Sequence, residues 1–405
     1  ELAPIYAPVN IAADHNQIMM RILKKVASRH GMRCLLHEKP FAGVNGSGKH
    51  NNWSLTTDDG INLLEPGKTP HENVQFLLVL TCILKAVDEH ADLLRESAAD
   101  VGNDERLGGN EAPPAVISVF LGEQLQDVLE QLISTGTATH SKKGEILDTG
   151  VKTLPDFMKD ATDRNRTSPF AFTGNKFEFR MVGSSDSVSS ANVVLNTIVA
   201  EAFKEAADEL EKAEDFDLAV HDMIKKLLAD HRRIIFNGNG YEDAWIKEAE
   251  KRGLANLHNT AEALPTYILP KNIALLTRHH VYSEAEIMAR HEVHMEKYCK
   301  LISIEAATLV DMVQHGILNR IERKMRRHAA SVLPDPYEKP IWEVIGQSGL
   351  SLDAGLGFGA SVEMARSGIS GIIHAIPFNC VPGTVIQGLE GRFRSLFPGI
   401  PFMTV

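Results

Sequence analysis

The sequence predicts an α+β fold, and two kinds of pattern support this class. Short runs around Trp53 and in residues 176–181 alternate apolar and polar side chains, as half-buried strands do. From about residue 189 to residue 318, apolar residues recur every three or four positions, which is typical of packed helices. With 405 residues, 43% of them hydrophobic and 23% charged, the chain can form a large core and two or more domains.

Net charge and cysteine usage narrow the expected partners and compartment. The formal net charge is −11, which disfavours nucleic acid and anionic membranes, because both attract a basic surface. No apolar run reaches the roughly 18 residues of a membrane span. The four cysteines are far apart and form no C-x-x-C pair, so neither a disulfide framework nor a zinc site is indicated. We therefore expect a cytoplasmic protein without a nucleic-acid or membrane partner.

The N-terminal part begins with a helix and a strand. Residues 13–30 carry apolar side chains at helical spacing, and Gly31 is expected to end this helix. Cys34–Leu36 is then predicted to be a short buried strand. Residues 74–87 predict a second helix that is buried more deeply, because it is apolar on nearly all sides. Residues 115–121 predict a further apolar strand.

A glycine-rich loop lies between the first strand and the Trp53 run. Gly43, Gly46 and Gly48 allow the backbone to approach a charged ligand closely. The segment from Gly43 to Lys49 fits the P-loop pattern G-x-x-x-x-G-K, but His50 stands where a P-loop needs Ser or Thr, and a strand-like stretch follows where the helix should begin. A surface hairpin loop with a solvated histidine is the other interpretation of this segment.

Two later segments carry charged pairs. Arg106 and Glu111 flank two glycines and precede two prolines, which suggests a shaped loop that holds a guanidinium near a carboxylate. A simple loop salt bridge explains this pattern equally well. In residues 176–181, alternation places the phenylalanines on one face and Glu178 and Arg180 on the other. A solvated charged strand face is the alternative for that pair.

Together these motifs resemble the glutamine synthetase family over about residues 1–318. Residues 37–41, the glycine-rich loop and His50 are similar to the loop and metal-binding histidine of that family, and residues 49–53 resemble its type III branch. The block from Arg106 to the prolines resembles the segment with a substrate-binding arginine and a glutamate that deprotonates ammonium. The resemblance implies a catalytic-domain sheet with helices, followed by a C-terminal helical region.

The resemblance also implies a reaction and a set of residue roles. The family makes glutamine from glutamate, ammonia and ATP through a γ-glutamyl phosphate, uses Mg²⁺ or Mn²⁺, and forms homo-oligomers such as ring dodecamers. Matched by motif, the metal ligands would be Glu1, His50 and Glu178, the glutamate-binding residues Asn45, Gly46, Arg106 and Arg180, the nucleotide contacts Ser54 and Arg166, and the catalytic residues Glu111 as base and Arg166. Asn52 and Ala171 depart from the family pattern, so different phosphate contacts are expected.

We expect three parts in the chain: a partial catalytic-domain core over 1–185, a helical region over 186–318, and a linker with a small α/β tail over 319–405. A basic run over 320–327 and the prolines that follow it indicate the second boundary. The tail resembles activator-type acyl-CoA dehydratase ATPases around residues 372–383. Cys380 in that stretch is interpreted as a small buried residue.

Two further expectations concern function. The chain opens abruptly at Glu1, so we expect that it lacks the family's N-terminal part and that the isolated chain makes glutamine poorly, if at all. The alternative function is a non-catalytic assembly or binding protein that retains the scaffold. The segment His291–His294 lacks one residue of the metalloprotease pattern H-E-x-x-H and is interpreted as a solvated helix face.

Overall fold

The computed structural model describes most of the first three quarters of the chain and parts of the remainder. The described residues are 5–109, 112–135, 138, 146–147, 157–158, 167–318, 321, 361–362, 364–366, 368, 372–374 and 391–404. The chain divides into two compact units, Glu1–Cys299 and Lys300–Val405. The finer three-part division stays a prediction, and most of the predicted linker, together with Cys380, lies outside the described residues.

Short strands form one four-stranded sheet and two strand pairs. The described strands are β1 (Asn51–Trp53), β2 (Val119–Phe120), β3 (Ile146–Leu147), β4 (Phe157–Met158), β5 (Phe170–Phe172), β6 (Phe177–Phe179), β7 (Ile372–His374) and β8 (Phe402–Thr404). The main sheet has the order β1-β6-β5-β2, with β2 parallel to β5 and the other pairs antiparallel. β3 pairs with β4 and β7 pairs with β8.

Two 3₁₀ segments lie at Arg232–Ile234 and Leu264–Ile268 and a π-helical segment at Met312–Ile317. α-Helices supply most of the remaining regular structure. They are α1 (Val9–Arg29), α2 (Val74–Glu89), α3 (Ala91–Glu96), α4 (Val101–Asp104), α5 (Glu123–Thr135), α6 (Ser189–Leu210), α7 (Phe216–His231), α8 (Asp243–Lys251), α9 (Thr260–Ala263), α10 (Pro270–Arg278) and α11 (Glu284–Asp311). Separate helices and a mixed sheet confirm the predicted α+β class.

The core of the first unit forms around α2, which packs against both α6 and α7. The Asn73 side chain accepts a hydrogen bond from the backbone N–H of Phe76 and thereby caps the helix. Most of the helix surface is buried, as its all-round apolar sequence predicts. On the sheet, Phe170 stacks on Phe177 with ring centroids 4.4 Å apart. The apolar face of β5 and β6 therefore joins this core.

α1 forms where predicted, and none of its residues is buried, so its apolar stripe faces solvent. Two strand expectations need correction. The predicted strand at Cys34–Leu36 does not form, and Leu35 is 91% exposed. A three-residue apolar run becomes a strand only where a neighbouring strand pairs with its N–H and C=O groups. The strand expected over residues 115–121 is also reduced to the two residues of β2.

Among the described residues, no helix combines the length and the apolar character that crossing a membrane would require.

Candidate active site

The β1–β6 ladder places two predicted metal ligands side by side. Asn52 pairs with Glu178 across the antiparallel ladder, and His50 lies just before β1. The Nδ1 atom of His50 is 2.8 Å from Oε1 of Glu178, and the carboxylate accepts this hydrogen bond when Nδ1 carries the proton. The His50 side chain is 60% exposed, whereas that of Glu178 is 8% exposed. This edge of the sheet therefore presents an imidazole to solvent over a buried carboxylate.

Arg180 lies on the same face, two residues after Glu178. Its Nε atom is 3.9 Å from Oε2 of Glu178, and its Nη2 donates to the carbonyl oxygen of Ser168 at 3.2 Å. Glu178 and Arg180 are both buried, so the alternative of a solvated charged face is wrong. A cation and an anion buried this close together partly offset each other's desolvation. His50, Glu178 and Arg180 thus converge at one place.

Arg106 is buried behind the glycine-rich loop, with 2% of the residue exposed. Its Nη2 donates to the carbonyl oxygen of Arg180 at 2.8 Å, and its Nη1 donates to Oδ1 of Asn103 and the carbonyl oxygen of Met181, each at 3.0 Å. Burial lowers the pKa of the guanidinium to about 10, and the nearby Glu38 carboxylate opposes this shift. Most of its donors are thus directed at the protein's own acceptors. Its assignment to substrate stays a prediction.

The position of Arg106 explains why two residues of the glycine-rich loop are glycines. A Cβ atom on Gly48 would lie 2.0 Å from Nη2 of Arg106, and one on Gly46 would lie 2.7 Å from Cγ. Both distances are far shorter than a van der Waals contact of about 3.5–4.0 Å. The close approach predicted from the glycines therefore occurs, and the observed neighbour is a buried arginine of the same chain.

Lys49 fastens this loop to the segment that follows β6. Its Nζ donates to the carbonyl oxygens of Gly183, Ser184 and Asp186, and burial lowers its pKa. Because the lysine holds backbone oxygens and strand β1 follows it, the P-loop interpretation is excluded. Glu38 also connects to the segment that follows β6, since its Oε1 accepts a hydrogen bond from the backbone N–H of Ser185 at 2.7 Å.

Sequence reasoning assigned no role to Glu38 or Asn103. Asn103 is fully buried and donates to the carbonyl oxygens of Ala98 and Met181 while it accepts from Arg106. A signal for Glu38 existed in the sequence, because it is the acidic residue of the segment from His37 to Phe41 that carried the family resemblance. Asn103 gave no comparable signal, since the partner that ties it to the strand region, Met181, lies 78 residues away along the chain.

The remaining predicted residues are either exposed or outside the described part. Asn45 and Ser54 are exposed, and the Ser54 hydroxyl donates to Oδ1 of Asn62 at 2.9 Å. Glu1, Glu111 and Arg166 lie outside the described residues. Within the described part of the chain, no group of three or more His, Cys, Asp or Glu side chains forms a metal-binding set. Glu178 is nevertheless an oxygen donor of the kind that suits Mn²⁺ or Mg²⁺, and His50 adds an adjacent nitrogen donor to a larger set.

Comparison with known proteins gives two family matches and several relatives. Residues 1–94 match the family model "Glutamine synthetase, catalytic domain" and residues 219–332 match "Glutamine synthetase C-terminal domain". The chain is 51% identical over 335 residues to a protein named Type-3 glutamine synthetase from Dictyostelium discoideum, covering 82% of this chain and 45% of that protein. It is 48% identical over 326 residues to a glutamine synthetase from Butyrivibrio fibrisolvens, covering 78% of this chain and 45% of that protein.

The chain thus spans about half the length of the curated relatives it matches. Among solved structures, it is similar to one described as "Apo GmaS without ligand", with a TM-score of 0.40 and 17% identity over 74% of this chain and 52% of that one.

Proposed function

This chain belongs to the glutamine synthetase family, and from that membership we propose that it carries part of a site for the ATP-dependent ligation of ammonia to glutamate. The observation that supports the proposal best is the convergence of His50, Glu178 and Arg180 at the β1–β6 ladder. An imidazole, a carboxylate and a guanidinium at one sheet edge provide donors for a divalent cation next to a positive charge for an anionic substrate.

In this proposal His50 and Glu178 are two of the ligands of a divalent cation, with Glu1 as a third. When bound, Mg²⁺ or Mn²⁺ would neutralise the charge of the ATP phosphates. The burial of Glu178 keeps its carboxylate in one orientation, and the guanidinium of Arg180 places a positive charge 3.9 Å from that carboxylate. His50 is exposed on the other side and is therefore accessible to a ligand.

The arginines and the predicted base have separate tasks. Arg180 would bind the carboxylate of glutamate together with Asn45 and Gly46, because a guanidinium can donate two parallel hydrogen bonds to a carboxylate. Arg106 would support the same region, since its Nη2 holds the carbonyl oxygen of Arg180. Glu111 would take a proton from ammonium, which frees the nucleophile for attack on a γ-glutamyl phosphate.

The phosphoryl-transfer residues complete the proposal. Arg166 would stabilise charge on the transferred phosphoryl group, and Ser54 would contact the nucleotide. We further propose that the chain belongs to the type III branch, that it works in the cytoplasm, and that it assembles as a homo-oligomer with glutamate, ammonia and ATP as substrates. The 51% identity to the protein named Type-3 glutamine synthetase supports the branch.

A metal-binding measurement tests the proposal. Mn²⁺ titration followed by electron paramagnetic resonance should detect binding to the wild-type chain, and His50→Ala should weaken it at least tenfold, which corresponds to about 1.4 kcal/mol. His15→Ala, which removes an exposed imidazole on α1, is the matched control and should bind Mn²⁺ like wild type. Equal affinities in wild type and His50→Ala would refute the site.

One observation favours the alternative of a non-catalytic protein that retains the scaffold. Most guanidinium donors of Arg106 are directed at acceptors of the chain itself, as a purely structural arginine requires. Glutamine formation from glutamate, ammonium and MgATP distinguishes the two functions. Turnover that disappears in Glu111→Ala supports the ligase. Mn²⁺ binding at His50 without turnover is the result expected of a partial ligase site, whereas absence of both Mn²⁺ binding and turnover supports the alternative.

A further inference from the structure

Strand β1, which directly follows His50, is hydrogen-bonded to α6 through two of its side chains. Nδ2 of Asn51 donates to Oδ1 of Asn192 at 2.8 Å, and the indole Nε1–H of Trp53 donates to Oδ1 of Asn196 at 2.9 Å. Asn51 and Trp53 are 6% and 7% exposed, so the two asparagines of α6 supply acceptors that water supplies poorly at this depth.

The spacing of the two acceptors on α6 matches the spacing of the two donors on β1. Residues i and i+2 of a strand are about 6.6 Å apart, and residues i and i+4 of a helix are about 6 Å apart along its axis. Asn51 and Trp53 can therefore meet Asn192 and Asn196 one to one. A shift of β1 by one residue would turn Asn52 toward α6 and break both hydrogen bonds. The two asparagines thus specify one register of β1.

The position of β1 in the sheet makes this support important. β1 has three residues and lies at the edge of the main sheet, next to β6. A short edge strand exchanges backbone hydrogen bonds on one side, so few contacts oppose its displacement. Asn52 points to the face of β1 opposite α6, where its ladder partner Glu178 contacts His50. The contact with α6 and the proposed metal ligands therefore lie on the two faces of the same short strand.

We propose that Asn192 and Asn196 are positioning residues for His50. By holding β1 in register, they keep the imidazole against Glu178 and present it to a divalent cation. The two asparagines act on the site through β1 and are not ligands themselves. This inference rests on the proposed function, because it takes His50 to be a metal ligand.

Mn²⁺ titration of the full 405-residue chain, followed by electron paramagnetic resonance, tests the proposal. Asn196→Ala removes the acceptor of the Trp53 indole and should weaken Mn²⁺ binding about three- to tenfold, because the apparent affinity falls with the fraction of chains that hold His50 in place. Asn192→Ala should act in the same direction. The loss should not exceed that in His50→Ala, since a displaced imidazole costs no more than a deleted one. Asn10→Ala, which removes an exposed asparagine of α1, is the matched control and should bind like wild type.

Two further variants separate positioning from a general loss of stability. Asn196→Asp keeps an oxygen acceptor for the indole, so its Mn²⁺ affinity should stay within about twofold of wild type. In a His50→Ala background, Asn196→Ala should leave the remaining Mn²⁺ affinity unchanged, because the residue that it positions is already absent. A loss in Asn196→Asp as large as that in Asn196→Ala, or an equal loss in both backgrounds, would overturn the proposal.

Hydrogen exchange followed by mass spectrometry reports on β1 without a metal ion. The peptide that contains Asn51–Trp53 should exchange at least about tenfold faster in Asn196→Ala than in wild type, whereas peptides from α5 should exchange alike. Asn196 lies at the exposed surface of α6, so its truncation should leave the fold intact, which circular dichroism checks. If that variant fails to fold, Asn192→Ala replaces it with the same expectations. Unchanged exchange of the β1 peptide in the folded variant would overturn the proposal.

The two readouts distinguish failure of this proposal from failure of the proposed function. If His50→Ala weakens Mn²⁺ binding and Asn196→Ala does not, the metal site stands and the positioning role is refuted. If wild type and His50→Ala bind Mn²⁺ equally, the proposed function is refuted, and the exchange rate of the β1 peptide decides whether the asparagines hold the strand.

Discussion

Gly48 provides the sharpest test of how the glycine-rich loop and Arg106 depend on each other. In Gly48→Ala the new Cβ would lie 2.0 Å from Nη2, 2.2 Å from Cζ and 2.8 Å from Nε of Arg106. The loop has little room to retreat, because Gly48 forms a β-bridge with Gly183 and Lys49 is bound to the same segment. The guanidinium must therefore move.

The expected cost follows from the hydrogen bonds that a shifted guanidinium loses. Its Nη2 bond to the carbonyl oxygen of Arg180 is the one nearest the new methyl group, and hydrogen bonds to charged groups contribute roughly 1.5–3 kcal/mol each. Because Arg106 is almost fully buried, water cannot replace the lost acceptor. We expect Gly48→Ala to lower the free energy of unfolding by about 3 kcal/mol, at the upper end of ordinary point substitutions.

Urea denaturation followed by circular dichroism measures this loss, and a double-mutant cycle assigns it. In an Arg106→Ala background, Gly48→Ala should cost less than about 1 kcal/mol, so the coupling energy should be about 2 kcal/mol. Gly316→Ala is the control, since a Cβ there meets no atom within 4 Å. A loss below about 0.5 kcal/mol in Gly48→Ala, or an equal loss in both backgrounds, would refute the reasoning.

Three other predictions concern stability. Burial raises the pKa of Asp186 to about 6, so the native state keeps a proton between about pH 4 and 6 that the unfolded state releases, and native stability falls as pH rises through this range. Relative to Asp186→Asn, wild type should lose about 2 kcal/mol of unfolding free energy between pH 4 and pH 7, and a constant difference would contradict this. Leu80→Ala should cost about 2–5 kcal/mol in urea denaturation because Leu80 is fully buried in α2, whereas Ile18→Ala on the exposed stripe of α1 should cost under about 1 kcal/mol. A chain that ends at Val332 should keep the circular dichroism of folded residues 5–299, and an unfolded spectrum would show that the tail is needed.

Local sequence patterns were sufficient to predict the helices and strands that bury one face along their whole length. α2, α6 and α7 were predicted because a packed helix leaves its spacing in the sequence. β6 was predicted because its two phenylalanines alternate with Glu178. The pairing of His50 with Glu178 came from family resemblance, since 128 residues separate them.

Polar contacts between residues that are far apart along the chain could not be predicted from the sequence. Two acceptors of Arg106, the carbonyl oxygens of Arg180 and Met181, lie 74 and 75 residues away, and no local spacing indicates such a partner. Lys49 is similar, because a lysine that binds backbone carbonyls has the same local sequence as one that binds phosphate. The predicted strand that contains Leu35 is wrong for a related reason. The sequence does not show whether another segment of the chain will cover an apolar side chain.

The register of β1 and β6 has a consequence for how this protein can vary. Odd positions in β6, Phe177 and Phe179, face the aromatic core, and the even position between them holds Glu178 next to His50. Gain or loss of a single residue between Phe172 and Phe177 would shift the register of β6 by one. The phenylalanines would then face the site, and the carboxylate of Glu178 would face the core. Insertions and deletions in this hairpin should therefore be tolerated only when they change its length by two residues. Whether the number of residues is odd or even is thus a constraint on this part of the chain, whatever the residue types.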